Sequence, residues 1–138
     1  MERLVRAINR HDVDAIAELC HRDVRGELPP HPARNYVGRD MMRANWALVF
    51  ELVPNLVAEL TRCSVDGELV WAEWSWTGTH TDGSRFERTG VAIHGLHEGR
   101  IQWVRLYMQP ILSQPLSASD VALREMGREP RRRPDGDR

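Results

Sequence analysis

Three side chains in the second half of the sequence have the types needed for proton transfer: Glu73, His94 and Arg88. A carboxylate beside a histidine orients the imidazole ring and raises its pKa, which suits a general base near neutral pH. A guanidinium can stabilise a developing oxyanion. We therefore predict that His94, oriented by Glu73, transfers the proton and that Arg88 is electrophilic. Arg62 is the competing partner of Glu73 and would hold it in a structural ion pair.

Turn signals divide this half of the chain into strands that position those side chains. Asp66-Gly67 and Thr81-Asp82-Gly83-Ser84 lie between alternating apolar runs, which is a strong signal for hairpins. His97-Glu98-Gly99 turns the chain into a last strand. The predicted meander comprises residues 56–65, 69–79, 86–96 and 100–111.

Pairing across Asp82-Gly83 predicts which side chains share a face of the sheet. With Thr77 opposite Arg88, Glu73 lies opposite Ala92 and diagonal to His94. Strand alternation gives one face with most of the polar residues and an opposite apolar face. The first carries Arg62, Trp71, Glu73, Ser75, Thr77, Arg88, Ala92 and His94, and the second Val70, Ala72, Trp74, Trp76, Val91 and Ile93.

The register of the last strand has two solutions. If His97-Glu98-Gly99 is a three-residue loop with a left-handed glycine, one set of alternate residues faces the same side as His94, and we favour this loop. If Glu98-Gly99 is a two-residue turn, the other set does. The first set is Gln102, Val104, Leu106 and Met108, and the second is Trp103, Arg105, Tyr107 and Gln109.

Helical spacing of apolar residues predicts helices before the meander. Residues 2–21 are helical, with an interruption at Asn9-Arg10-His11-Asp12, after which Asp12 can cap a second piece. A third helix runs from Gly38-Arg39-Asp40 to Val53, and Pro54 ends it. A short strand, residues 24–28, lies between them. Helices followed by a meander predict an α+β domain with the helices on one sheet face.

Composition limits the classes of function. The chain has 138 residues, of which 41% are hydrophobic and 28% charged, as expected for one globular domain. A net charge of −1 argues against nucleic acid or an anionic membrane as partner. The sequence has no run of 18 apolar residues and no export signal, and Cys20 and Cys63 suit two thiols in a reducing cytoplasm. Without a Cys/His cluster or a glycine-rich phosphate loop, we predict no metal and no cofactor.

The order of these elements resembles the SnoaL-like group of the nuclear transport factor 2-like superfamily, over roughly residues 2–112. The resemblance implies a cone-shaped α+β barrel, in which a curved, mostly antiparallel sheet wraps the N-terminal helices around a pocket. The motifs that carry it are Asn9-Arg10-His11-Asp12-Val13-Asp14-Ala15-Ile16, Val37-Gly38-Arg39-Asp40, Trp74-Ser75-Trp76-Thr77-Gly78-Thr79-His80, and Glu98-Gly99-Arg100-Ile101 with Tyr107.

The acids of the enzymes in this superfamily are missing here. By the resemblance, the tyrosine and the two aspartates of ketosteroid isomerases fall on Leu4, Leu28 and Ala92. The arginine of the limonene-type epoxide hydrolases falls on Arg88, but neither of the two aspartates of those enzymes is present in this sequence. Those two positions read Gly90 and Leu106. The Tyr-x-Asp that ends many SnoaL-like sequences reads Tyr107-Met108-Gln109.

The resemblance also implies which sheet face lines the pocket. Composition alone favours the apolar face as the core, whereas the resemblance implies the polar face. We follow the resemblance, which leaves the apolar face with Trp74 and Trp76 to be covered in a homodimer. The predicted ligand contacts are Met42, Trp46, Phe50, Leu60, Ala92, Leu106 and Met108.

Two functions fit this pattern. The first is a cofactor-independent enzyme of cyclase, isomerase or hydrolase type that acts on an apolar polycyclic or polyketide-like substrate. The second is a non-catalytic dimeric module that binds an apolar ligand. The predicted boundaries are residues 1–112 for the domain, 113–127 for an extension whose short helix is capped by Ser119 or Asp120, and 128–138 for a disordered tail.

Overall fold

The computed structural model describes residues 1–111 and 117–127, and in those residues the chain forms four α-helices and six strands. The predicted elements are present, although β1 starts at Cys20 and shortens the preceding helix. The helices are α1 (Glu2–Asn9), α2 (Val13–Glu18), α3 (Arg39–Leu52) and α4 (Ala118–Glu125). The strands are β1 (Cys20–Glu27), β2 (Tyr36–Val37), β3 (Val57–Asp66), β4 (Leu69–Thr79), β5 (Arg85–His97) and β6 (Arg100–Pro110).

All six strands belong to one sheet, in the order β2-β1-β6-β5-β4-β3. Only the β1–β6 pair among them is parallel, and the remaining pairs are antiparallel. Helices α1 to α3 pack their apolar side chains against one face of this sheet. The structure therefore confirms the predicted α+β class and the curved, mostly antiparallel sheet.

The helix boundaries follow from local chemistry. Asp12 caps α2 by accepting a hydrogen bond from the Ala15 N–H at 2.9 Å. Helix α3 starts after Gly38, whose φ of 96° suits glycine, and it ends before Pro54. Helix α4 is capped by Ser117, in a capping box with Asp120, and not by Ser119 or Asp120 as predicted. The boundary at residue 112 and the predicted tail, 128–138, lie outside the described residues.

The register of β4 against β5 differs from the prediction by one residue. Trp76, not Thr77, lies opposite Arg88, and Ala72, not Glu73, lies opposite Ala92. The cause is the connecting loop. The His80 N–H donates to the Ser84 carbonyl at 2.8 Å, and this bond closes a three-residue loop instead of a two-residue turn.

A one-residue change of register moves every side chain of a strand to the other face. The apolar residues of β4 therefore face the helices, and Trp74 is only 1% exposed in the core. The choice of the polar face as the interior was wrong for β4, where composition alone indicated the correct face. It was right for β5, whose Arg88, Ala92 and His94 line the cavities. Trp74 and Trp76 consequently cannot form an outer dimer face.

Two bulges adjust the neighbouring strands. The β3–β4 register shifts between Leu60 and Arg62, so that Leu60 lies opposite Trp74 and Arg62 opposite Glu73. At the other hairpin, Glu98 and Gly99 both have positive φ, as in a two-residue turn, so the favoured three-residue loop was wrong. A second shift, between Gly95 and Leu96, leaves Gln102 unpaired and pairs His94 with Val104. Val104, Leu106 and Met108 of the favoured set therefore line the cavities.

Helix α1 is fixed to β3 by one side chain. The Asn9 amide donates to the Ala58 carbonyl at 2.9 Å and accepts from the Ala58 N–H at 2.7 Å. Because β3 is an edge strand, no neighbouring strand can bond the outward N–H and carbonyl of Ala58. The Asn9 side chain bonds both groups instead. Two residues later, the His11 ring is hydrogen-bonded to the Leu56 carbonyl at 2.9 Å. None of the helices in the described part of the chain is long and apolar enough to cross a membrane.

We expect Asn9→Ala to lower the free energy of unfolding by about 1–3 kcal/mol, because it leaves two buried backbone groups unsatisfied. Urea denaturation followed by circular dichroism measures this change. Arg10→Ala, at the exposed neighbouring position, is the matched control and should stay within about 0.5 kcal/mol of the wild type. Equal stability of the two variants would contradict the role assigned to Asn9.

Candidate functional site

A cavity of about 710 Å³ lies between the helices and the sheet. Ligand sites in proteins commonly have volumes of roughly 300–1,000 Å³. The wall is almost entirely apolar and, among the described residues, contains no aspartate or glutamate. Its apolar side chains include Leu4, Ile8 and Ile16 from α1 and α2, Met42, Trp46 and Val49 from α3, and Trp74, Trp76, Ala92, Val104 and Leu106 from the sheet.

A second cavity of about 420 Å³ adjoins the first one. The two share Leu28, Arg34, Trp76 and Leu106 as wall residues. The second cavity also contacts Arg88 and Met108. We call the boundary formed by the four shared residues, together with Arg88 beside it, the mouth of the main cavity.

The structure distributes the predicted ligand contacts over three places. Met42, Trp46, Ala92 and Leu106 line the main cavity, and Met108 lines the second one. Phe50 instead stacks on the His11 ring, with centroids 4.4 Å apart and planes inclined by 16°. Leu60 packs against the hydrophobic core from β3. Phe50 and Leu60 therefore support the wall from behind, and their predicted place in the wall was wrong.

His94 lies in the wall of the main cavity and is only 4% exposed. Its Nδ1 is buried and has no hydrogen-bond partner among the described residues. Burial lowers the pKa of His94 from 6.5 to about 4, although a hydrogen bond to the backbone of Val70 raises it and the N-terminal charge lowers it. The imidazole is therefore neutral at pH 7 and offers an unused nitrogen to the cavity.

Glu73 lies on the opposite face of the sheet from His94. It pairs with Val91 on β5, and its carboxylate is 3.9 Å from the Arg62 guanidinium. The predicted contact between Glu73 and His94 was wrong, because the β4–β5 register places Val70 opposite His94. Glu73 has only its competing partner, Arg62, in a surface ion pair that contributes little to stability.

Arg88 does not act beside His94 either. Both side chains face the helices, but six residues of extended strand separate them by about 20 Å. Arg88 lies at the second cavity, over the ring of Phe86 with its guanidinium carbon 5.5 Å from the ring centroid. Burial lowers the pKa of Arg88, and the charge of Arg34 lowers it further. The three predicted catalytic residues are therefore not brought together.

The main polar groups around the cavity were not among the residues predicted from the sequence. Trp76 has a buried indole Nε1 with no hydrogen-bond partner in the described part of the chain. Arg34 is the last residue of a short 3-10 turn, Pro32–Arg34. So short a turn shows no periodic spacing of apolar residues in the sequence. Tyr36 lies in the cavity wall, and burial raises the pKa of its hydroxyl to about 12. Its ring packs on Gly26, where a Cβ atom would lie only 2.0 Å from the ring. The alternation Trp74-Ser75-Trp76 could have identified the two indoles as wall residues.

The positions at which the family resemblance places acids are apolar here. Leu4, Leu28, Ala92 and Leu106 all line the main cavity. Within residues 1–111 and 117–127, no three His, Cys, Asp or Glu side chains are grouped so that they could hold a metal ion. The arrangement can enclose an apolar molecule and offer it a few hydrogen bonds. The walls formed by the described residues contain no carboxylate for acid/base chemistry.

Comparison with known proteins agrees with this architecture. The family model of the SnoaL-like domain matches residues 1–104. None of the curated proteins is similar enough to count as a match. Among solved structures, a hypothetical protein with a ketosteroid isomerase-like fold from Catenulispora acidiphila, in complex with trimethylamine, has a TM-score of 0.70 at 15% identity, over 81% of this chain and 85% of that one.

Two further structures are similar at the level of the fold. An LEH-like epoxide hydrolase from M. tuberculosis has a TM-score of 0.67 at 18% identity, over 78% of each chain. A candidate polyketide cyclase from Sinorhizobium meliloti has a TM-score of 0.62 at 20% identity, over 78% of this chain and 90% of that one. These similarities establish the fold and leave the chemistry to be argued from the site.

The buried His94 should make stability depend on pH in a defined window. In the unfolded chain the imidazole has a pKa of about 6.5, whereas in the folded protein its pKa is about 4. Between these values the unfolded chain binds more protons, so the free energy of unfolding decreases as the pH falls, by at most about 1.4 kcal/mol per pH unit.

Urea denaturation at pH 7 and pH 4.5 should show that His94→Asn reduces this pH-dependent loss relative to the wild type. His97→Asn, at an exposed position of the same strand, is the matched control and should keep the wild-type loss. An identical pH dependence in all three proteins would contradict the burial of a neutral His94.

Proposed function

The chain belongs to the SnoaL-like domain family, and from that premise we propose that it binds an apolar small molecule in its main cavity. One observation carries the proposal: a cavity of about 710 Å³ whose described wall is almost wholly apolar and contains no carboxylate. Such a wall stabilises a ligand mainly by removing its apolar surface from water. The rings of Trp46 and Trp76, with centroids 5.4 Å apart, favour a flat or polycyclic ligand.

A cofactor-independent enzyme is the second candidate, and the unpartnered Nδ1 of His94 favours it. A neutral imidazole can accept a proton from a substrate held in the cavity. Without a carboxylate beside it, the resulting imidazolium has no counter-charge, so this base is weak. Any cyclase, isomerase or hydrolase activity would therefore depend on His94 and would decrease as the pH falls toward 4.

Binding can be tested with 1-pyrenebutanol, an uncharged polycyclic probe, by fluorescence anisotropy. We expect saturable binding to the wild type, and at least about tenfold weaker binding to Leu106→Trp, because the larger side chain fills the cavity. Val65→Trp, at an exposed end of β3 away from the cavity, is the matched control and should bind as the wild type does. Failure of the wild type to bind this probe and other uncharged polycycles would contradict the proposal.

We also propose that the protein is a homodimer through the outer face of the sheet. Trp71 and Tyr107 support this assignment, since they are 49% and 41% exposed on that face. A shallow groove beside them is lined by Trp71, Glu73 and Val91. A second copy would remove these apolar side chains from water.

The two cysteines form no disulfide in the described chain, which supports a cytoplasmic location.

Trp71→Glu should convert this dimer into a monomer, because it buries an unpaired charge in the interface. Sedimentation velocity at tens of micromolar measures the change. Ser84→Glu, in the exposed β4–β5 loop, is the control and should leave the dimer intact. A wild-type protein that sediments as a monomer would overturn this proposal without affecting the one on ligand binding.

A further inference from the structure

The polar groups at the mouth of the main cavity are hydrogen-bond donors. Arg34 and Trp76 line both cavities there, and Arg88 lines the second one beside them. A guanidinium carries only donors, and so does an indole N–H. The Trp76 Nε1 is buried and unused by the described residues. The mouth therefore presents an excess of donors. His31 and Gln109 also line the second cavity and can accept hydrogen bonds, but neither supplies a carboxylate.

Neither guanidinium at the mouth has an acidic partner in the described residues, although ion pairs are common elsewhere. Six other arginines there each lie within 4.0 Å of an aspartate or glutamate. The Arg88 guanidinium lies over the ring of Phe86, and the described walls of both cavities contain no acidic side chain. Two positive charges at one site thus have no counter-charge from residues 1–111 and 117–127.

Burial makes this unpaired charge costly. Arg88 is partly buried, and the positive charge of Arg34 acts on it, so that both effects lower its pKa. A guanidinium that loses water without gaining a counter-ion destabilises the folded protein. An anion placed between the two arginines would remove this repulsion and form charge-assisted hydrogen bonds, which are stronger than neutral ones.

We propose that the ligand is an amphipathic carboxylate, whose apolar body fills the main cavity and whose carboxylate binds between Arg34 and Arg88 at the mouth. This inference rests on the proposed function and adds the class of ligand to it. A carboxylate has only acceptors, so it matches the donor set, and its two oxygens suit the fork of a guanidinium. An alcohol or ketone would satisfy one donor and leave both charges unpaired.

The test compares two probes that share an apolar body, 1-pyrenebutyrate and 1-pyrenebutanol, by fluorescence anisotropy at low ionic strength. We expect the wild type to bind the acid at least about tenfold more tightly than the alcohol. Added salt should reduce this preference, because it screens the attraction. Equal affinities for acid and alcohol would overturn the inference and leave apolar binding intact, whereas binding of neither probe would overturn the proposed function itself.

Variants at the mouth locate the preference. Arg88→Met and Arg34→Met should each weaken binding of the acid by a larger factor than binding of the alcohol, so that the preference for the acid decreases. Arg85→Met is the matched control, because Arg85 lies three residues away on the same strand, is exposed and pairs with Glu87. Arg34 is also exposed, so Arg34→Met keeps the test valid if Arg88→Met fails to fold. A preference for acid that survives both mouth variants would contradict the assignment.

Discussion

The register of β4 against β5 decides which side of the sheet forms the cavity, because successive side chains of a strand point to opposite faces. Trp74 lies opposite Gly90, whose φ of 150° is accessible chiefly to glycine. A Cβ atom at Gly90 would also lie 2.3 Å from the Tyr107 carbonyl oxygen of β6. The glycine thus lets three strands approach closely beneath a buried indole. With this pairing, the small side chains of Ala72 and Ala92 leave space above the sheet, and Trp74 and Trp76 of β4 line it.

Enclosing that space requires the helices to be held over the sheet, and Asn9 provides one of the attachments. Its side chain satisfies the outward N–H and carbonyl of Ala58 on the edge strand β3, so it blocks unwanted pairing at this edge while it fixes α1. The stacked rings of His11 and Phe50 then connect the turn after α1 to α3. The motif Asn9-Arg10-His11-Asp12, which supported the family resemblance, therefore has a structural role in closing the cone.

The elements could be predicted from the sequence because their signals are local: apolar spacing, Asp12 as a cap, Pro54 as a stop. The strand faces could not be derived from the turn signals, because each register depends on one residue in a loop or bulge. For β4, the apolar composition of one face was the better guide. The connection at Thr81-Asp82-Gly83 is a three-residue loop and not a two-residue turn, so the two faces of β4 are exchanged relative to the prediction. In β6, a bulge offsets the effect of a turn that is one residue shorter than predicted. Helix α3 contributed Met42 and Trp46 as predicted, since its apolar stripe needs no pairing. Arg34 carries no such pattern and became visible only in the fold.

The separation of the polar groups determines how a ligand could be oriented. His94 is neutral and lies about 20 Å along β5 from Arg88, and the described wall between them is almost entirely apolar. A charged group entering the cavity would lose its water and, at the His94 end, would meet a neutral ring that supplies no counter-charge. At the mouth it would meet two guanidiniums that have no acidic partner in the described part of the chain. An amphipathic anion can therefore satisfy the site in only one direction, with its charge at the mouth and its apolar body toward His94.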